Sequence, residues 1–249
     1  MVLTYNRADQ VLDTLGELTG LPDRIHTVVV DNASRDGAAE RIAKAYPHVE
    51  VLRAPRNLGA AGRNLGVEHV MTEYVAFCDD DTWWRPGSLT RAVEILDAAP
   101  RVAVLNARVV VDEHNALDET CERMRASPLP RDGLPGPALI GFMASACVFR
   151  TEVFRRVGGY EPRLFIGGEE TMVSLDVLML GHAIVYADEL VLYHYPSPLR
   201  DSRQRRTLLA RNAAWIAWMR LPWAETVGTV LQAVRVLRTE RMLFRVSSD

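Results

Sequence analysis

Within its first eighty residues the chain alternates apolar segments with amphipathic helical ones, and few folds accommodate that rhythm. Met1-Val2-Leu3-Thr4 reads as the end of a strand, Ile25 to Val30 as a strand buried on both faces, Val49 to Arg53 as a third and Tyr74 to Cys78 as a fourth. Between them, Ala8 to Leu18 carries Val11, Leu12, Leu15 and Leu18 on one helical face, and further helices are expected from about Gly37 to Ala45 and Ala60 to Met71. Such units build a parallel sheet with right-handed crossovers, and ligands sit beyond the carboxyl ends of its strands. Those ends are Thr4-Tyr5-Asn6, Asp31-Asn32, Arg53 to Asn57 and Asp79-Asp80-Asp81, all polar and converging on one edge. The first strand begins abruptly, so it is either short or lacks a few residues ahead of Met1.

The second half is less regular. A helix from about Pro86 to Ala98 precedes a long apolar strand, Val102 to Val111. Residues 112–136 are polar and rich in Pro and Gly, the best candidate for a mobile loop or acceptor-binding insert. A strand over Ser145 to Arg150, a short helix over Glu152 to Val157 and a helix opening at Gly167-Gly168-Glu169-Glu170 follow, then strands at Ala183 to Tyr186 and Val191 to His194. The tail reads as two helices, Arg203 to Met219 and about Glu225 to Leu243.

Three adjacent carboxylates at a strand end are costly unless a cation sits there, because like charges so close resist joint ionisation. Mg²⁺ or Mn²⁺ suits them, being hard cations that bridge carboxylates to phosphates. If the segment stays extended, Asp79 and Asp81 share a face; the alternative is a solvated acidic turn. Asp31 at its strand end suits hydrogen bonding to a base or ribose, or capping of the next helix. Arg63, in Asn57-Leu58-Gly59-Ala60-Ala61-Gly62-Arg63-Asn64, lies near a helix start where anions are favoured, and would meet a diphosphate unless it is a surface residue. Glu169 and Glu170 either complement a helix dipole or supply a general base, and the paired glycines before them suggest a loop that must approach something closely. His194 at a strand end is a structural histidine or a metal ligand.

Other chemistries are disfavoured. The chain has neither a G-x-G-x-x-G after its first strand nor a G-x-x-x-x-G-K-[ST] phosphate loop. A net charge of -3 over 249 residues gives no reason to expect nucleic-acid binding. Cys78, Cys121 and Cys147 are too few and too scattered for a disulfide frame or zinc site, which fits a reducing cytoplasm. No apolar run approaches a membrane span, and no signal-peptide pattern is present.

Together these pieces resemble the family 2 glycosyltransferases of the GT-A fold, in the rhamnosyltransferase-like branch. The resemblance rests on Thr4-Tyr5-Asn6-Arg7, Val30-Asp31-Asn32-Ala33-Ser34, Asn57-Leu58-Gly59 through Arg63-Asn64-Leu65-Gly66, and Asp79-Asp80-Asp81. Arg150, Val157-Gly158-Gly159-Tyr160-Glu161, the Gly-Gly-Glu-Glu segment and Arg211-Asn212 continue it in the same order. It implies an α/β fold: a Rossmann-like, mostly parallel sheet flanked by helices, with a helical C-terminal tail. Residues 1–200 would form the transferase domain, 1–98 binding the nucleotide sugar and 99–200 the acceptor, and 201–249 the extension. Asp31 would contact the nucleobase, with Thr4, Asn6, Asn57, Arg63, Asp79 and Asp80 also on the donor side. Asp79-x-Asp81 would be the D-x-D element on ribose and metal, Asp81 the more direct ligand, and His194 would add a further one. The family's acidic pair is usually Glu-Asp, and its second member, here Glu170, deprotonates the acceptor. Glu170 therefore reaches one methylene further than the usual Asp, and Met172 and Asp176 stand where related members often carry an acid and an Arg.

The expected activity is a metal-dependent, inverting transfer from a nucleoside-diphosphate sugar to a carbohydrate, lipid-linked or small natural-product hydroxyl, with Glu170 or Glu169 as base. A sugar nucleotidyltransferase, a glycoside hydrolase and a non-catalytic nucleotide-sugar binding module are the rivals. In the tail, Arg200, Arg203, Arg205, Arg206 and Arg211 precede Trp215, Trp218 and Trp223. That mixture suits peripheral contact with an anionic membrane, at its cytoplasmic face, as well as helices that simply cover a core.

Overall fold

The computed structural model describes residues 1–23, 25–111, 116–196 and 202–246. The chain runs β1 (Val2–Thr4), α1 (Ala8–Thr19), β2 (Val28–Asp31), α2 (Ala38–Ala45), β3 (Glu50–Arg53), a 3-10 turn (Gly59–Ala61), α3 (Gly62–His69), β4 (Tyr74–Ala76), β5 (Cys78–Asp79), β6 (Thr82–Trp84) and α4 (Ser88–Ala98). Then come β7 (Val102–Val111), β8 (Ala116–Leu117), α5 (Glu119–Arg125), β9 (Ala138–Leu139), β10 (Cys147–Arg150), α6 (Thr151–Arg156), α7 (Glu169–Met179), β11 (Ala183–His194), α8 (Ser202–Arg220) and α9 (Trp223–Val246).

The first half forms the expected parallel sheet, in the order β3-β2-β1-β5. Its helices form because their apolar residues recur on one side: Val11, Leu15 and Leu18 of α1 are all buried against it. The fourth expected strand is the seam of the molecule. On one side Cys78 N–H donates to Met1 O at 2.9 Å, continuing the parallel ladder; on the other Phe77 N–H donates to Cys147 O at 3.0 Å. Tyr74–Ala76 pairs antiparallel with β10, which is antiparallel to β7, and β7 runs parallel to β11. Parallel and mixed halves thus meet along Tyr74 to Asp79. Phe77, Phe149, Phe154 and Tyr160 pack there, with the Phe77 ring 5.3 Å from Phe154 and 5.8 Å from Phe149.

Two expectations are corrected, and one further strand appears. Ala183 to Tyr186 and Val191 to His194 are one strand, β11, because polar Asp188-Glu189 sits in a register shift between Ala187 and Val191 and does not form a turn. The stretch after β7 is not a bare loop. Asp118 caps α5 by accepting from Thr120 N–H at 2.7 Å, and Ser127 Oγ ties the following segment to Ala138 O at 2.6 Å; residues 112–115 of that insert lie outside the described residues. Finally, β6 follows the aspartates directly and pairs antiparallel with β11. Its sequence, Thr-Trp-Trp, is too short to announce a strand by periodicity.

Candidate active site at the strand ends

Strand β5 stops at Asp79, and Asp80 and Asp81 form the corner into β6. Strand alternation therefore does not govern Asp79 and Asp81, and each aspartate has its own surroundings. Asp79 forms an ion pair with Arg63. Asp80 is turned inward: it accepts from Thr4 Oγ1 at 3.0 Å and from Arg7 Nη1 at 2.9 Å, while Thr14 Oγ1 donates to its backbone carbonyl at 2.7 Å. Burial pushes the Asp80 carboxyl up to about 6, against the pull of Arg7 and with the help of its charged neighbours. Asp81, 3% exposed, lies 3.4 Å from Arg7 Nη1 through Oδ2 and 3.7 Å from His194 Nε2 through Oδ1.

The register of β6 on β11 brings His194 there. His194 pairs with Thr82, and Tyr195 N–H donates to Asp81 O at 3.0 Å. Oxygen and nitrogen ligands about 2.1 Å from a small divalent ion stand roughly 3–4 Å apart, so Asp81 and His194 fit one such ion as a pair. Among the described residues no three His, Cys, Asp or Glu side chains gather into a metal cage. An ion held here would take its other ligands from phosphate and water, the usual habit of Mg²⁺.

The other donor-side residues mostly organise loops. Asp31 is fully buried; Oδ1 accepts from Ser34 N–H at 2.9 Å, so it shapes the turn after β2 and does not cap α2, which starts after Gly37. Its Oδ2 is 3.5 Å from Arg53 Nε, and no hydrogen bond reaches it. Asn6, at φ 52, accepts from Arg35 N–H at 2.8 Å and donates its own N–H to Ser34 Oγ at 2.9 Å. Asn57 Oδ1 accepts from Asn32 Nδ2 at 3.0 Å and Gly59 N–H at 2.9 Å. Thr4, Asp80 and the amide oxygen of Asn57 thus bond to the protein itself.

The acidic pair lies at the start of α7. Glu169 is 4% exposed with Oε2 unbonded, and burial, followed by the like charge of Glu170, raises its carboxyl to about 7. Glu170 is half-buried and also raised by burial. Arg63 lies between the two centres, its charge acting on Asp79, Glu169 and Glu170 alike. It is 4% exposed, with its guanidinium carbon 5.8 Å from the Tyr160 ring, so it is not a surface residue.

The glycines before the pair do approach something closely, but it is the tail. Gly167 and Gly168 both have φ +90, and an added Cβ would come within 2.8 Å of Leu209 and of Ile216 on α8. Asn212 Nδ2, fully buried, donates to the carbonyls of Leu164, Ile166 and Gly167 at 2.8, 3.0 and 2.6 Å, and Arg211 Nη2 to Leu164 O at 2.9 Å. Arg7, Thr14, Asn32 and Asn212 also organise the site, though the sequence does not single them out. Three lie in or beside the matched strings, but only contacts more than twenty residues away in sequence reveal what they do.

A cavity of about 270 Å³ lined by Met1, Leu18, Val28, Tyr74, Trp84 and Val148 lies at the other, amino end of β1 and β2 and is largely apolar. It contains none of these groups.

The Glycosyl transferase family 2 model matches residues 1–158. The pre-mycofactocin glycosyltransferase of Mycobacterium tuberculosis is 27% identical over 205 residues, covering 78% of this chain and 42% of that protein. The chain thus spans less than half of that relative's length. The N-acetylglucosaminyl-diphospho-decaprenol L-rhamnosyltransferase of the same organism is 21% identical over 232 residues, covering 78% of this chain and 75% of its own. Among solved structures, the mannosyltransferase PcManGT from Pyrobaculum calidifontis, in complex with GDP-Man and Mn²⁺, superposes with a TM-score of 0.66 at 21% identity, covering 99% of this chain and 73% of its own. The fold is therefore the GT-A type, a parallel sheet flanked by helices with a helical tail. With the family model matched over residues 1–158 of 249, the chain belongs to glycosyl transferase family 2.

Proposed function

We propose that the protein transfers a sugar from a nucleoside-diphosphate donor to an acceptor hydroxyl in one inverting displacement. One observation carries this reading: the buried Arg63 pairs with Asp79 of the strand-end acids while its charge also acts on Glu169 and Glu170. A diphosphate site and a base are thereby held in one electrostatic unit, as transfer between two bound partners requires.

Asp31, whose Oδ2 faces Arg53 but accepts no hydrogen bond, receives the nucleobase, and Asp79 the ribose. Asp81 and His194 would hold Mg²⁺ or Mn²⁺. Such an ion supplies neutralisation of the charge that grows on the departing diphosphate. Glu170 takes the acceptor proton as the hydroxyl oxygen bonds to the anomeric carbon and the carbon–oxygen bond to the diphosphate breaks, its electron pair leaving with the diphosphate. Glu170 is preferred to Glu169 because it retains exposure whereas Glu169 is enclosed, and burial raises its proton affinity. The names of the relatives, one acting on a diphospho-decaprenol-linked sugar and one on pre-mycofactocin, support a lipid-linked or small natural-product acceptor. All three cysteines are free and buried thiols, which supports a cytoplasmic location.

The test is release of nucleoside diphosphate from a panel of nucleotide sugars, with Mn²⁺ and candidate acceptors. Wild type should turn over at least one donor, and folded Asp81→Ala and Glu170→Gln should each lose about a hundredfold or more. Near-wild-type transfer by either variant would overturn the mechanism.

A further inference from the structure

The tail contains a surface that the transfer reaction does not use. Helices α8 and α9 meet at Leu221-Pro222 and pack on each other, burying Ala217, Thr226 and Ala233. Their outward sides are apolar near the corner. Trp218 and Trp223 are 65% and 68% exposed, and their rings meet edge to face at 5.0 Å, so the stripe of α8 continues into that of α9. On α8 the stripe is Trp215, Trp218 and Met219; on α9 it is Trp223, Val227, Leu231 and Val234, at helical spacing, and all are exposed. Water-facing tryptophans joined into a patch are unusual on a protein that has no use for them.

Charge identifies the occupant. Residues 202–246 hold nine Arg and two Glu, a net of +7, whereas the whole chain stands at -3 and the remainder therefore at -10. Arg205, Arg206, Arg235 and Arg238 are exposed; Arg200 and the side chain of Arg203 lie outside the described residues. No helix among the described residues is long and apolar enough to cross a membrane. Arg220, beside the corner, pairs with Asp176, and the exposed arginines lie farther along both helices. Exposed aromatics and arginines on the same pair of helices are the composition of a segment lying in a bilayer interface.

We propose that the α8–α9 corner docks on an anionic lipid bilayer, with Trp218, Leu221 and Trp223 entering the interface and the arginines lying against the headgroups. Helix α8 also carries Asn212 and Arg211, which hold residues 163–167 ahead of Glu169 and Glu170. Given the transfer reaction proposed above, docking would set the acceptor side of the site against the membrane, where a lipid-linked hydroxyl is presented.

Flotation of the full chain on vesicles, without donor or acceptor, tests the surface independently of turnover. Binding to phosphatidylcholine–phosphatidylglycerol vesicles should exceed that to phosphatidylcholine alone by about tenfold or more, and tryptophan emission should shift to the blue. Trp218→Ser/Trp223→Ser should weaken binding about tenfold, and Arg235→Glu/Arg238→Glu should remove the preference for anionic lipid, both with unchanged circular dichroism. Equal binding to both vesicle types, or a double tryptophan variant that binds as wild type does, overturns the proposal. So does a lipid-free dimer that only the tryptophan changes dissociate, since the patch is then a self-interface. Failure of the wild-type chain to bind either vesicle, with its transfer to a water-soluble acceptor intact, would sink the docking while leaving the reaction standing.

Discussion

Asn212 on α8 donates to the carbonyl of Gly167, 45 residues earlier, at 2.6 Å, and the same amide reaches Leu164 O at 2.8 Å. A residue of the tail therefore holds the turn that aims Glu169 and Glu170.

Asn212→Ala leaves the Ile166 and Gly167 carbonyls without this donor, while Leu164 O keeps Arg211, at about 1–3 kcal/mol. A fall in melting temperature of several degrees is expected, since each kcal/mol is worth about 2–4 °C in a chain of this size. Transfer should fall further than donor affinity, because the loop bears on the acidic pair. Calorimetry with donor titration checks both, and an unshifted melting temperature would contradict the clamp.

Gly59 is a matching clamp on the same segment, at Phe165. Its φ is +61, an added Cβ would stand 2.0 Å from Phe165 O, and the adjacent Ala60 N–H donates to that same oxygen at 2.7 Å. Gly59→Ala should cost more than Gly37→Ala, where φ is +78 but the space is open and only backbone strain of about 1–2 kcal/mol remains. Equal chemical denaturation midpoints for the two variants would show that the contact is unimportant.

Glu169 should make the fold less stable as pH rises. Its folded carboxyl titrates near 7, above the ordinary value of 4.5, so the native state binds more protons than the unfolded one in that interval. Stability from this group is complete below about pH 4.5 and is lost through pH 7. Glu169→Gln should flatten that decline in urea titrations between pH 5 and 8, and should be the more stable protein at pH 8. An unchanged slope would mean that the carboxylate is ionised throughout.

Arg7 neutralises Asp80 and Asp81 together through one guanidinium nitrogen. Arg7→Ala should raise the Asp80 carboxyl further and leave Asp81 less well oriented. Losing a partner that orients a metal-binding carboxylate weakens metal affinity about 10–100-fold. Mn²⁺ titration calorimetry in the presence of a nucleoside diphosphate measures this, and an affinity equal to wild type would assign Arg7 to packing alone.

Much of the parallel half is legible in the sequence because its determinants are local. The period of Val11, Leu15 and Leu18, the unbroken apolar run of β2 and the polar strand ends all lie within a few residues of what they specify. The aspartate triplet was likewise visible, and so was the excess of arginine and tryptophan in the tail. The tertiary structure decided how those parts are shared out. Asp80 turns to Thr4 and Arg7 and Asp81 to His194 because the chain turns after Asp79 and β6 pairs with β11, a contact spanning 112 residues in sequence between Thr82 and His194. Gly167 and Gly168 are required by α8, which follows them by some forty residues, and no local pattern contains that helix. Composition and period fix what a segment can be; the partner of a charge or a carbonyl is set by packing, because burial makes each one find a counterpart wherever the fold supplies it.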